Sequence, residues 1–220
     1  MTTKDQVTDL LVEMNRTAAA RLSELEPPIR EVPEQQDVCF DVLNTLLADS
    51  PNGLRLRQTQ LPVAEFLGDD FPGLGGVDLT VERDGQPAAL IELKFGADTL
   101  WNSVWDLCKL ALAIRKGVSG RAFMVGGAPL PSWQNERQGP DLFEDADYST
   151  ESLLEGYANC FRQWDSAPVR LPSGIGVGLI DTVTFKSGDE TYEMRLVEVF
   201  DRESDWLRIH DGLELRAKSD

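Results

Sequence analysis

The 220-residue sequence predicts an α/β fold in one domain, and three observations carry that expectation. Apolar residues recur at helical spacing over residues 4 to 48, apolar stretches of strand length separated by turn residues follow, and a strongly apolar helical pattern lies between two of those strands. The length is sufficient to bury a sizeable core.

The first helix is expected over 4 to 25, where Val7, Leu10, Leu11, Met14, Ala18 and Leu22 share a face, and Pro27-Pro28 ends it. A second is expected over 34 to 48, with Val38, Cys39, Val42, Leu43, Leu46 and Leu47 on its apolar face. Ser50-Pro51-Asn52-Gly53 reads as a turn, and the alternation that begins at Leu54 predicts a half-buried strand over 54 to 61, with Arg55 and Arg57 on its less apolar side. Residues 62 to 75, rich in Pro, Gly and Asp, read as a loop. A β-hairpin follows, with Gly76-Val77-Asp78-Leu79-Thr80-Val81 and Ala89-Leu90-Ile91-Glu92-Leu93-Lys94 joined through Asp84-Gly85. A helix over 98 to 116 and a buried strand over 121 to 127 complete an α-β-β-β-α-β core at about 34 to 127.

The C-terminal elaboration, 128 to 220, begins with an irregular stretch to residue 150, read as a long loop or lid. A helix over 150 to 164 and a second hairpin, 175 to 185 with 191 to 200, follow. Gly174, Gly176 and Gly178 precede a strand rather than a helix, so they offer no helix N-terminus to a pyrophosphate.

Composition narrows the function. A formal charge of −17 argues against a surface built for nonspecific attraction to phosphate backbones, and neither half of the chain is a basic module. Adaptation to a salty cytoplasm is a third source of such acidity, one that six lysines against fifteen arginines do not establish. No apolar run is long enough to span a membrane, and the acidic N-terminal segment lacks the pattern of a secretory signal, so a cytoplasmic protein is expected. Cys39, Cys108 and Cys160 read as buried thiols, and the single histidine, His210, makes a His-rich zinc site or a Ser-His-Asp triad improbable.

Chemistry is expected on the first hairpin. Asp78, Glu92 and Lys94 are ionisable groups in otherwise apolar strands, and such groups cost free energy unless a metal, a partner or a substrate compensates them. Glu92 and Lys94 share a face because strand side chains alternate. A plain two-residue Asp84-Gly85 loop would place Asp78 opposite Ile91, on the other face from Glu92. A three-residue Arg83-Asp84-Gly85 loop would place it opposite Leu90 and diagonal to Glu92, so an active site requires an odd-numbered loop or a bulge.

Aspartate on the second strand and Glu92-Leu93-Lys94 on the third, within α-β-β-β-α-β, resemble the PD-(D/E)XK nuclease superfamily. Val77 stands where the family name has proline. The resemblance implies a restriction-endonuclease-like core, a mixed central sheet flanked by helices, here with an added C-terminal helix and hairpin. It further implies a hydrolase cutting phosphodiester bonds in DNA or structured nucleic acid with Mg2+ or Mn2+, with Asp78, Glu92 and Lys94 catalytic and Asp78, Glu92 and the Leu93 carbonyl holding the metal.

Accessory roles fall to an acidic residue of the preceding helix, for which Glu34, Asp37 and Asp41 are candidates while Gln35 and Gln36 sit nearer its apolar edge, and to Asp106 and Lys109 of the following helix. Arg55 and Arg57 are candidates for phosphate contact, whereas Trp101 and Trp105 read as a packing stripe. The acidity motivates an alternative: a noncatalytic protein on the same scaffold, binding a basic protein partner as an inhibitor, antitoxin or DNA mimic does.

Overall fold

A computed structural model describes residues 3–25, 32–48, 53–62, 65, 76–96, 103–133, 142–149, 169–172, 174–201, 206–210 and 214–217. Helices α1 (Thr3–Ser23) and α2 (Val32–Ala48) lead into β1 (Leu54–Leu56), β2 (Leu61–Pro62), β3 (Gly76–Val77) and the hairpin β4 (Leu79–Arg83) and β5 (Gln86–Phe95). Helix α3 (Ser103–Arg115) then leads to β6 (Ala122–Pro129), a single helical turn α4 (Leu130–Trp133) and β7 (Ala146–Ser149). Strands β8 (Val169–Pro172), β9 (Gly174–Ser187), β10 (Glu190–Asp201), β11 (Trp206–His210) and β12 (Glu214–Ala217) complete the described elements.

The main sheet is mixed and seven-stranded, in the order β1-β4-β5-β6-β10-β9-β7. Its one parallel pair is β5 with β6, the pair that α3 connects, as a parallel connection requires. The expected helices α1, α2 and α3 and both long hairpins are present. The second hairpin is not an appendage, because β10 pairs with β6 along eight residues and extends the central sheet.

Each face of the sheet carries its own core. Val7, Leu11, Met14, Ala18 and Leu22 of α1 and Cys39, Val42, Leu43 and Leu47 of α2 pack on Ile91, Leu93, Phe95, Phe123 and Val125. Helix α3 packs on the other face against Leu90, Ala122, Met124, Val197 and Val199. Every residue of α3 from Ser103 to Ala113 is buried, as befits a helix apolar nearly all round, and each large side chain so covered stabilises the fold by roughly 1.5–3 kcal/mol. Trp105 belongs to this core, in keeping with a packing role; Trp101 lies outside the described residues.

Two expectations are corrected. The strand placed at 54 to 61 regularly pairs with β4 only over Leu54–Leu56, and Leu61–Pro62 forms a separate short ladder with β3. The stretch 128 to 150 is not wholly irregular: β6 continues to Pro129, and β7 pairs antiparallel with β9 at the sheet edge. Of the two devices an active site requires, the hairpin does not use the three-residue loop. Arg83 pairs with Gln86, and Asp84 and Gly85 take φ of 53° and 77°, the left-handed pair that a tight two-residue turn demands.

Strands β8, β11 and β12, each of four or five residues, form a separate three-stranded sheet. The helix expected at 150 to 164 lies outside the described residues. Gly174, Gly176 and Gly178 lie within strand β9. Among the described residues no helix is long and apolar enough to cross a membrane.

Candidate functional site

A bulge decides the geometry of the first hairpin. With its two-residue turn the ladder would run Arg83 to Gln86, Glu82 to Pro87 and onward with Asp78 against Ile91. Between Val81 and Glu82 the register shifts, so that Val81 faces Ala89, Thr80 faces Leu90 and Leu79 faces Ile91. One extra residue on β5 advances the pairing by one position and places Asp78 level with Glu92. A bulge, one of the two devices the site requires, is thus what the hairpin uses.

Asp78 sits at a bend between β3 and β4, where the chain leaves the ladder. Strand β5 continues past this point, and the Asp78 Oδ2 accepts the Leu93 N–H at 2.9 Å. The aspartate therefore substitutes for a strand partner while remaining half-buried.

Glu92 and Lys94 face α3, since the intervening Leu93 belongs to the opposite core. Glu92 is 1% exposed. The Lys109 Nζ lies 2.6 Å from its Oε1, yet that oxygen receives no well-directed hydrogen bond. The same Nζ lies 2.8 Å from Asp106 Oδ1 and donates to the Gly76 carbonyl at 3.1 Å. The other carboxylate oxygen of Asp106 holds the Lys94 Nζ at 2.9 Å. Lys109 is 4% exposed on its side chain and Lys94 23%, so the cluster opens to solvent through Lys94.

Charge balance explains the electrostatics. Burial, reinforced by the negative charge of Asp106, raises the pKa of Glu92 well above that of an ordinary glutamate, and Lys109 only partly offsets this. Asp106 behaves oppositely: burial works against its charge, but Lys109 and Lys94 together hold it below the usual aspartate value. Burial likewise works against both lysines, and the surrounding carboxylates more than compensate, so both ammonium groups stay protonated. Three acids against two bases, counting Asp78, leave Glu92 the least stable charge in the group.

The cluster is framed by α2 and the β6 edge. From α2 it is Gln36 that reaches the site, its Nε2 donating to the Leu93 carbonyl at 3.3 Å, while Asp37 and Asp41 are exposed; the Glu34 side chain lies outside the described residues. Buried Gln35 and bonded Gln36 are the two residues the sequence places near the apolar edge of that helix. Next to Lys94 on β6 stands Gly126, where a Cβ would meet Phe143 at 2.7 Å and Trp133 at 2.9 Å. The missing side chain lets this edge-to-face aromatic pair lie over the strand. Arg195, also level with Gly126, stacks on Trp133 with its guanidinium carbon 4.4 Å from the ring centroid. Sequence patterns missed Arg195 because strand β10 was read as outside the core.

Asp78, Glu92, Lys94, Asp106 and Lys109 are thus brought together. Arg55 and Arg57 belong to the β1 side of the sheet: Arg55 is exposed, and Arg57 lies 3.6 Å from both Glu65 and Glu82. Among the described residues no group of three or more His, Cys, Asp or Glu is arranged to hold a metal. A Mg2+ or Mn2+ that keeps most of its waters takes only one or two carboxylates from a protein. The one group here that bears on such an ion is the buried Glu92 Oε1, which lacks a directed hydrogen bond although the Lys109 Nζ lies 2.6 Å from it. In comparisons with protein-family models, curated proteins and solved structures, nothing matches this chain.

Proposed function

We propose that the protein is a metal-dependent phosphodiesterase of the restriction-endonuclease-like fold, acting on DNA or structured nucleic acid. The observation that carries this reading is the bulge between Val81 and Glu82, which sets Asp78 level with Glu92 beside Lys94. The antiparallel run β1-β4-β5, with α3 leading from β5 to the parallel β6, supports the reading.

Asp78 and Glu92 would hold the ion, with the Leu93 carbonyl assisting. When bound, a divalent ion supplies a more acidic water and neutralises charge on the phosphoryl oxygens. Lys94 is the most exposed cation of the cluster, and Asp106 fixes its ammonium, so Lys94 orients the attacking water and stabilises the charge developing on the phosphoryl group. Water adds to phosphorus, the bond to the leaving oxygen breaks, and the products are a phosphomonoester and an alcohol. With a net charge of −17 the protein cannot draw nucleic acid by its general field, so binding rests on these local cations and the ion.

Calorimetric titration with Mn2+ tests the reading. Wild type is expected to bind, and Glu92→Ala and Asp78→Ala to lose binding. Lys94→Ala is expected to keep the metal and lose cleavage of a nucleic-acid substrate by about 100-fold or more. Cleavage undiminished in all three variants would sink the assignment.

A second reading is favoured by one specific observation: the Lys109 ammonium already lies against both the Glu92 and the Asp106 carboxylates. On it the scaffold is noncatalytic, and its acidic surface binds a basic protein partner as an inhibitor, antitoxin or DNA mimic does. Absence of Mn2+ binding by wild type, both alone and with nucleic acid present, together with salt-sensitive capture of a basic protein, would favour this alternative.

A further inference from the structure

We propose that Lys109 is a built-in cation occupying the metal's place on Glu92, so that loading the ion requires its ammonium to leave Glu92 and remain on Asp106. This rests on the phosphodiesterase reading and specifies how that site is regulated.

An ammonium has three protons to place, and here it has three oxygens within reach. Glu92 Oε1, Asp106 Oδ1 and the Gly76 carbonyl lie at 2.6, 2.8 and 3.1 Å. These come from β5, α3 and β3, so the side chain ties together the three elements that surround Asp78 and Glu92. The three contacts are unequal. Asp106 lies one helical turn before Lys109 on the same helix and follows it wherever it moves. The contact to Glu92, though the shortest, crosses from helix to sheet, and Glu92 is the carboxylate whose charge the cluster offsets least. It is the contact that gives way.

A divalent ion on Glu92 would face Lys109 in a buried setting where like charges are poorly screened. The two cations therefore compete for one carboxylate. Without the metal, Lys109 partly offsets the desolvation of Glu92 and ties the three elements together. Lys94, more exposed and bound to the other oxygen of Asp106, is not displaced in the exchange. The consequence is a site that resists stray divalent ions.

The experiment is Mn2+ calorimetry and thermal melting with and without Mn2+ on wild type, Lys109→Gln, Lys109→Met and Glu92→Gln. Lys109→Gln keeps amide donors for Asp106 and the Gly76 carbonyl and is the milder replacement. Both Lys109 variants are expected to bind Mn2+ at least tenfold tighter than wild type, with a larger Mn2+-induced rise in melting temperature. Equal or weaker binding by Lys109→Gln, with binding abolished in Glu92→Gln, overturns the competition while leaving the metal site intact. Failure of every protein to bind, or binding by Glu92→Gln as tight as wild type, overturns the metal site and this proposal with it. Should Lys109→Met fold only when Mn2+ is added, as read by circular dichroism, the ion has replaced the ammonium and the proposal stands.

Discussion

Two buried ionic groups sit on opposite faces of the same sheet, and they are built on different rules. Just before β6, the Arg121 guanidinium meets the Glu198 carboxylate in two parallel hydrogen bonds of 2.7 and 2.8 Å, one acid against one base. Arg121 also lies over the Phe123 ring, 4.6 Å from its centroid, and Ser119 both accepts from its N–H and donates to its carbonyl. Nearby, Arg115 of α3 forms a second such pair with Asp201. At the other end of β5, by contrast, three acids share two lysines, and one carboxylate oxygen is left without a directed bond. The first arrangement satisfies its donors and acceptors and locks α3, β6 and β10 in place. The second leaves three acids sharing two bases, the imbalance on which the phosphodiesterase reading rests.

The contrast can be broken most forcefully at Arg121. Replacing it with Met leaves Glu198 as a buried charge without its fork, and the expected loss is about 3–5 kcal/mol of unfolding free energy by urea titration. Mn2+ affinity measured on the same protein should not change. A stability loss under about 1 kcal/mol, the range of an exposed pair, would show that this end is no structural clamp.

At the cluster, the opposite sign is expected. The raised pKa of Glu92 means that the stability linked to its proton is fully present below the unfolded-state value and is lost as pH rises through the folded value. Asp106, with a lowered pKa, adds stability above the unfolded-state value and loses it as pH falls through the folded one. Glu92→Gln, neutral at every pH, should therefore melt a few degrees higher than wild type at pH 8, with the gap closing toward pH 4. It should also bind no Mn2+. A lower melting temperature at pH 8 would mean that Glu92 serves the fold and not a site.

The smallest effect sharpens the comparison. Ser119→Ala removes the hydroxyl that backs Arg121 and is expected to cost about 1 kcal/mol. A loss as large as that of Arg121→Met would show that the hydroxyl sets the guanidinium geometry and is no mere support.

The elements that position the cluster were largely legible along the chain, because helical and strand periodicities of α1, α2, β5 and α3 are strong and the faces they bury follow directly from them. Asp106 and Lys109 could be named only as accessory candidates. Nothing in a pattern distinguishes a buried ion pair on an apolar helix from two polar residues at its margin. Gln36 stood at the correct edge of α2 but carried no charge to single it out. Arg195 escaped notice because it reaches Gly126 through a pairing of β10 with β6 whose partners lie far apart in the chain.

The α/β class, the order of elements about the first hairpin and the presence of Asp78, Glu92 and Lys94 on apolar strands are all written in the sequence, since these depend on local periodicity and residue type. It also showed that a bulge or an odd loop was needed to bring the aspartate to the glutamate. The choice of the bulge, the joining of the second hairpin to the central sheet and the placing of Lys109 against Glu92 come from the folded chain. Register, strand order and the sharing of a buried charge are all settled by contacts between distant segments, where packing and desolvation outweigh anything a residue prefers alone.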